Sequence, residues 1–215
     1  MAERPILFSG PMVRALLNGR KTQTRRIAKP PAKWAERFPI CKPSVMKAGH
    51  ETWWWDGVYD RVGASQICPY GVPGDTLWVK ETWHPRAALS DWDLDIRYAA
   101  DGALRTIKDG EFGERDWTMP KAAARGNVSP LFMPRWASRL TLAITKVRIE
   151  RLQDISERDV KAEGVNQTVI GTPRNPHRMT YRASFRDLWD HINGPESWDA
   201  NPWVWAITFD VRVRP

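Results

Sequence analysis

The stretch Gly19-Arg20-Lys21-Thr22-Gln23-Thr24-Arg25-Arg26 puts four cations and two threonine hydroxyls into eight residues. Charge at that density attracts anions, phosphate above all, and the hydroxyls between the cations add hydrogen-bonding capacity. A solvated basic loop would have the same composition, so the setting of the stretch decides between the two. Glu81 is the second residue of interest. In the run Thr76-Leu-Trp-Val-Lys-Glu-Thr82, alternation puts Leu77, Val79 and Glu81 on one face and Trp78, Lys80 and Thr82 on the other. A carboxylate on an apolar face lies at an open strand end or is held by a cation. Glu81 is therefore either half of a structural ion pair or a substrate contact. Trp78 belongs to a third group. The chain has 13 Trp residues. Most must serve packing, but an indole face near a pocket can stack on a base or on an arginine.

Other chemistries lack their residues. The histidines His50, His84, His177 and His191 are scattered, and no Ser-His-Asp set can be assembled from them. There is no Gly-rich phosphate loop, His-Glu-x-x-His, nucleophile elbow or Cys-x-x-Cys. Cys41 and Cys68 are the only cysteines, which implies no disulfide framework and fits a reducing cytoplasm. With His50 they are spaced too widely for a zinc motif, and no metal or other cofactor is expected. No run approaches about 18 apolar residues, and the N-terminus lacks the apolar core of a signal peptide. No membrane partner is expected, and the expected location is the cytoplasm. The formal net charge is +8, from 33 Lys+Arg against 25 Asp+Glu, which favours nucleic acid among possible partners.

The elements that must position these residues follow from spacing. Pro5 to Phe8 reads as a first strand. Ser9 as cap and Pro11 in the first turn start a helix with Met12, Val13, Leu16 and Leu17 on one face, and Asn18-Gly19 stops it. The basic stretch thus leaves the end of a packed helix, where the backbone is fixed and side chains can reach out. From Pro30 to Pro73 the prolines break any long element. Residues 30–70 read as a Trp-rich insertion, with a hairpin turning at Asp56-Gly57. Leu94 to Ala100 and Ala103 to Ile107 flank a second hairpin turn at Asp101-Gly102, and Asp109 to Val128 reads as a polar surface loop. Leu140 to Arg151 alternates cleanly but changes phase near Thr145-Lys146, where a bulge fits. Ser156 caps a short helix that stops at Gly164, with Ile155 and Val160 as a staple. Asn166 to Met179 reads as a loop, Tyr181 to Ile192 as a helix and Trp203 to Val213 as a closing strand. Six or seven strands joined mostly by hairpins and loops, with three short helices, argue an α+β fold with a small curved sheet or barrel.

A helix ending in Asn18-Gly19, the Arg20–Arg26 run, Pro73-Gly74-Asp75-Thr76-Leu77-Trp78-Val79, Leu152-Gln-Asp-Ile155-Ser156, Ala162-Glu163-Gly164 and an aromatic last strand together resemble the ASCH domain. That family takes its name from a transcriptional coactivator and shares the PUA-like barrel with RNA-modification proteins. The likeness touches both ends of the chain and leaves residues 30–70 and 108–128 outside it. With its Trp-rich insertions the chain is similar to the longer form carried by phages and prophages. The resemblance implies one domain over residues 1–215. Its fold would be a PUA-like small curved β-barrel with flanking short helices and a Trp/Pro-rich insertion, located in a bacterial host cytoplasm.

Bacterial members of this family include small amidohydrolases that deacetylate N4-acetylcytidine. They carry Gly-Arg-Lys-Thr-x-Thr-x-Arg and a glutamate in the helix after the long strand. On these positions the resemblance implies catalytic Lys21, nucleophilic Thr24, their partner Glu163 and the following Arg26, while the residues themselves add Arg20, Thr22, Arg25, Glu81 and Trp78 to Arg26 as candidate substrate contacts, Lys80-Glu81 being a departure from the short enzymes. Amide hydrolysis needs a nucleophile, a base to activate it and a proton donor for the leaving amine. A lysine in a desolvated, cation-rich site has a lowered pKa and can serve as that base, while Arg26 could stabilise an oxyanion. The alternative for Lys21 and Glu163 is a plain salt bridge tying helix to loop. In a regular strand Lys21 and Thr24 would face opposite ways, so the pairing requires Lys21 to lie just off the helix end.

Two other readings compete. One is an RNA- or nucleotide-binding module without catalysis, or an RNA-cleaving relative, using the basic stretch and the aromatics. The other is a phage accessory protein that acts through protein contacts, with Trp at its interface. A nucleoside or RNA is the expected partner, and a monomer the favoured state.

Overall fold

The computed structural model describes residues 1–29, 41–45, 52–57, 63–88, 93–108, 110, 111, 118–172 and 174–214. Its elements run β1 (Glu3–Leu7), α1 (Gly10–Leu17), β2 (Gln23–Ile27), β3 (Cys41–Val45), β4 (Thr52–Gly57), β5 (Gly63–Ile67), β6 (Thr76–Lys80), β7 (Trp83–Ala87), β8 (Leu94–Tyr98) and β9 (Leu104–Ile107). After these come β10 (Leu140–Arg151), α2 (Glu157–Ala162), β11 (Val169–Thr172), β12 (Asn175–Arg178), α3 (Tyr181–Asn193) and β13 (Trp203–Val213). Strands joined by hairpins and loops, with helices set apart from them, make this an α+β protein. The chain divides into two interleaved compact units. One is Met1–Gly19, Asp75–Ala143 and Val211–Pro215; the other is Arg20–Gly74 and Ile144–Asp210. The largest sheet has the order β1-β6-β10-β13-β2, and the residues of its long strands β10 and β13 fall in both units.

In the first unit β6 is central. It pairs in parallel with β1 from Glu3↔Thr76 to Leu7↔Lys80, and antiparallel with the start of β10 at Leu142↔Leu77. The alternation expected of β6 holds: Leu77 and Val79 are buried, while Trp78 and Lys80 are half-buried. Asp75 fixes the entry to the strand by accepting from Ala2 N at 2.7 Å and from Arg4 Nη1 at 2.9 Å. Strands β7, β8 and β9 form an antiparallel sheet whose second turn is Asp101-Gly102, with Gly102 at φ 76°. Trp83, Ile96, Tyr98 and Ile107 build the core beneath it. The segment expected to be a polar surface loop contributes to that core. Ala123 and Val128 are buried, Lys121–Arg125 is a 3-10 turn, and Val128 bridges Trp83. Small apolar side chains spaced among polar ones give no periodic signal, which is why the sequence reads as loop there.

In the second unit β13 pairs antiparallel with β2, from Val204↔Ile27 to Thr208↔Gln23. The sequence predicts one apolar face on β13, but Val204, Trp205, Ala206 and Ile207 are all buried, so the strand is covered on both faces here. On β10 the two successive exposed residues are Thr145 and Lys146, where the alternation changes phase. Strands β3, β4 and β5 make a separate antiparallel sheet in the order β3-β4-β5. Pro43 lies on β3 at its edge, where a missing N–H is tolerated. Asp56 pairs with Gly63, so Asp56-Gly57 finish β4 instead of forming the turn; the residues between β4 and β5 lie outside the described residues. Asn166 to Met179 is not a plain loop, since it holds the antiparallel ribbon β11–β12. Ser156 caps α2 by accepting from Asp159 N at 3.1 Å, and Thr180 caps α3 by accepting from Ala183 N at 3.1 Å. No helix among the described residues is long and apolar enough to cross a membrane.

Candidate active site

Helix α1 ends at Leu17, Asn18 caps it, and Gly19 takes φ 67°, the left-handed turn that glycine adopts without steric cost. Two residues later Lys21 forms an isolated antiparallel bridge with Glu163, the last residue of α2's cap. The backbone at Thr22 is held from both sides. Its N–H donates to Ala162 O at 2.8 Å, and its carbonyl accepts from Phe209 N at 3.0 Å. Strand β2 begins only at Gln23. Lys21 therefore stands just beyond the helix end and outside the strand, so strand alternation does not set it opposite Thr24.

Lys21 is 2% exposed, and its Nζ donates to Glu163 Oε2 and to Glu163 O, both at 2.8 Å. Burial pulls the ammonium below the ordinary lysine pKa. The Glu163 charge and hydrogen bond oppose this, while the charges of Arg26 and Arg25 add to it. Crowding by cations is thus a secondary cause, with desolvation first. Thr24 is 1% exposed, and its Oγ1 accepts from Arg26 Nη1 at 2.6 Å. The half-buried Arg26 is pulled below its ordinary pKa by burial and in turn feels the charges of Tyr70 and Glu163. Lys21, Glu163, Arg26 and Thr24 are linked in that order by contact or by charge.

Arg25 points into the other side of the cluster. It donates to Glu163 Oε1 at 3.0 Å and to Gln23 Oε1 at 2.7 Å, its Nε reaches Glu150 Oε1 at 3.1 Å, and Asp159 lies 3.4 Å from Nη2. Arg148 closes the group with 3.3 Å contacts to Glu150 and Asp159. Burial works to raise the Asp159 carboxyl, but the Ser156 hydrogen bond and the charges of Arg25 and Arg148 outweigh it and hold it below the usual range. Lys21, Arg25 and Arg148 pair with Glu150, Asp159 and Glu163, and Arg26 adds a fourth cation that feels the Glu163 charge. A buried charge cluster of this kind is tolerable only when each member is paired.

The expected site residues separate accordingly. Lys21 meets Glu163, Thr24 meets Arg26, and the charges of Arg26 and Glu163 act across the two pairs. Every guanidinium nitrogen of Arg25 is already engaged, by Glu150, Glu163, Asp159 and the Gln23 amide oxygen, in place of a phosphate. Arg20 is exposed and donates to Gly164 O at 3.2 Å and Asn166 Oδ1 at 2.9 Å, fastening the turn after α2. The Thr22 side chain is exposed, and it is the Thr22 backbone that binds. Trp78 and Glu81 belong to the first unit and have partners there. Lys80 Nζ lies 5.4 Å from the Trp78 ring centroid. Glu81, 1% exposed, is gripped at both oxygens by Arg139, at 2.9 and 3.0 Å, and Arg139 also meets Asp101. Of the two readings of Glu81, the structure has the ion pair. Burial still raises its pKa against the pull of Arg139.

Sequence reasoning missed Glu150, Asp159, Arg148 and Gln23. One signal was present: Arg148 and Glu150 are two apart on β10, an opposite-charge pair sharing one face. No group of three or more potential metal ligands occurs among the described residues. Compared with protein-family models, with curated proteins and with solved structures, the chain gives no significant match.

Proposed function

We propose that this chain is an amidohydrolase that removes the acyl group from an acylated nucleoside such as N4-acetylcytidine, on a sheet of PUA-like type. One observation carries the reading. A fully buried lysine, biased by its surroundings toward the neutral form, shares an electrostatic cluster with a buried threonine whose oxygen already accepts from a guanidinium. Structural ion pairs seldom need a buried lysine, because an arginine satisfies more acceptors at lower desolvation cost.

In the proposed reaction neutral Lys21 takes the Thr24 hydroxyl proton as Oγ1 attacks the acyl carbon. Arg26 donates to that same oxygen and lowers the energy of its anionic form. The tetrahedral intermediate collapses, the C–N bond breaks, and the Lys21 ammonium gives its proton to the departing amine nitrogen. Water then hydrolyses the acyl ester of Thr24. Lys21 takes one water proton and returns a proton to Oγ1. Glu163 holds Nζ in place through both its carboxylate and its carbonyl.

The test is release of cytidine from N4-acetylcytidine by the purified chain. Lys21→Ala and Thr24→Ala are expected to lower kcat by about 10²–10⁴-fold, while Thr24→Ser retains turnover. Full turnover in both alanine variants removes the proposal.

A further inference from the structure

The ribbon β11–β12 is exposed at all eight strand positions. Its register pairs Val169 with Arg178, Ile170 with His177 and Thr172 with Asn175, so each face carries one aliphatic and one basic residue side by side. Among the described residues, hydrogen bonds hold the ribbon at its base. Met179 N donates to Thr168 O, Gln167 Nε2 to Met179 O, and Thr168 N to the Ser184 hydroxyl. A two-stranded hairpin alone is marginal in water, and leaving Val169 and Ile170 at 56% and 50% exposure forgoes the burial that would steady it. Near the far end of the ribbon the two strands approach closely, since a side chain at Gly171 would meet Asn175 O at 2.5 Å.

Charge identifies the partner. From Val165 to Arg186 the sequence has no Asp or Glu and four arginines, half of the chain's net +8. Two of these are engaged nearby: Arg182 with the carbonyls of Ile155 and Gln153, and Arg186 with Asp190 and Asp199. Arg174 and Arg178, on the ribbon, make no ion pair or side-chain hydrogen bond among the described residues. Free cations on an element open on both faces suit a partner that surrounds it with phosphate on two sides. The major groove of B-form DNA is wide enough to admit a two-stranded ribbon, whereas the A-form RNA major groove is too narrow. Single-stranded RNA is held by stacking of successive bases on several aromatic side chains, and β11–β12 has no Phe, Tyr or Trp and a single His177.

We propose that β11–β12 is a DNA-binding arm that enters the major groove of a B-form duplex. Arg174 and Arg178 neutralise phosphates at its walls, and one face of the ribbon lies against the base edges, where its single aliphatic residue, Val169 or Ile170, meets a group such as the thymine methyl.

Fluorescence anisotropy with a labelled duplex of about 20 base pairs, titrated at several salt concentrations, tests this. Wild-type protein is expected to bind with a steep inverse dependence on salt. Arg174→Glu with Arg178→Glu should weaken binding by about tenfold or more at low salt and reduce the log–log slope by about 2. Arg174→Gln with Arg178→Gln should fall between. All four changes are at exposed positions, so the unfolding midpoint should not move. Equal binding by the charge-reversed protein, absence of duplex binding at low salt, or tighter binding to an RNA duplex or single strand each overturns the proposal. Hydrolysis of the free nucleoside does not involve the ribbon, so it reads out the enzymatic reading separately.

Discussion

Arg25 and Lys21 divide one carboxylate between them: Glu163 gives Oε1 to the first and Oε2 to the second. The division has a chemical consequence. A lysine facing a whole carboxylate charge would stay protonated, and a lysine facing one already half-neutralised loses its proton more readily. Arg25 thereby acts as a positioning residue for the proposed base. Arg25→Gln is expected to move the rising limb of the kcat–pH profile toward higher pH. Lys21 loses a repelling cation and gains the full Glu163 charge. Arg25→Lys should restore part of the shift. A profile displaced downward in rate with its inflection unmoved would mean that Arg25 matters only for stability. The roles of Lys21, Thr24 and Glu163 were expected from a motif that names residue types. The sequence also has Arg25 add charge around Lys21, but it does not show that Arg25 acts through Glu163, because its carboxylate partners Glu150 and Glu163 lie 125 and 138 positions away.

Elements differ in how much of themselves they write into sequence. Strands β10 and β13 end where alternation predicts because each has a long apolar pattern. The capped helices α2 and α3 are equally plain, since Ser156 and Thr180 do locally what a cap must do. Ser156→Ala is expected to cost about 1 kcal/mol of unfolding free energy, measured in urea. Ribbon β11–β12 could not be seen because nothing of it is buried, and without burial there is no periodic pattern. Glu81 shows the intermediate case, where the sequence posed the right pair of options and only the fold chose. Arg139→Met should destabilise by about 3 kcal/mol, because Glu81 stays buried without its cation. Adding Glu81→Leu should recover most of that loss, since an apolar pair fills the site without charge. If the double variant remains as far below wild type as Arg139→Met, the pair contributes more than desolvation takes.

Across the whole molecule the paired and buried charges set how stability follows pH, and the two ends of the scale have different sources. Asp101 and Asp159 are both subject to burial, which raises them, but their hydrogen bonds and cation neighbours prevail and hold them below the usual carboxylate range. A lowered folded pKa means stability that is present above the unfolded value of about 3.9 and lost as pH falls through the folded value. Acid should therefore weaken the fold below about pH 4. At the alkaline side the sign reverses in cause but not in direction. Burial holds Lys21 below its unfolded value of about 10.4. Between the two pKa values the unfolded chain binds the proton and the folded chain does not, so stability rises with pH. Lys80, also lowered by burial, adds to that slope. Tyr98, raised by burial, opposes it only above about pH 10, where the unfolded phenol ionises first. The informative quantity is the difference between wild type and Lys21→Met, from urea unfolding at a series of pH values. Lys21→Met should leave the acid limb intact and remove one lysine's share of the alkaline rise. Parallel curves for the two proteins would mean that Lys21 keeps its proton in the folded state up to the ordinary lysine pKa, and a lysine so held has no neutral form to serve as the base that attack by Thr24 requires.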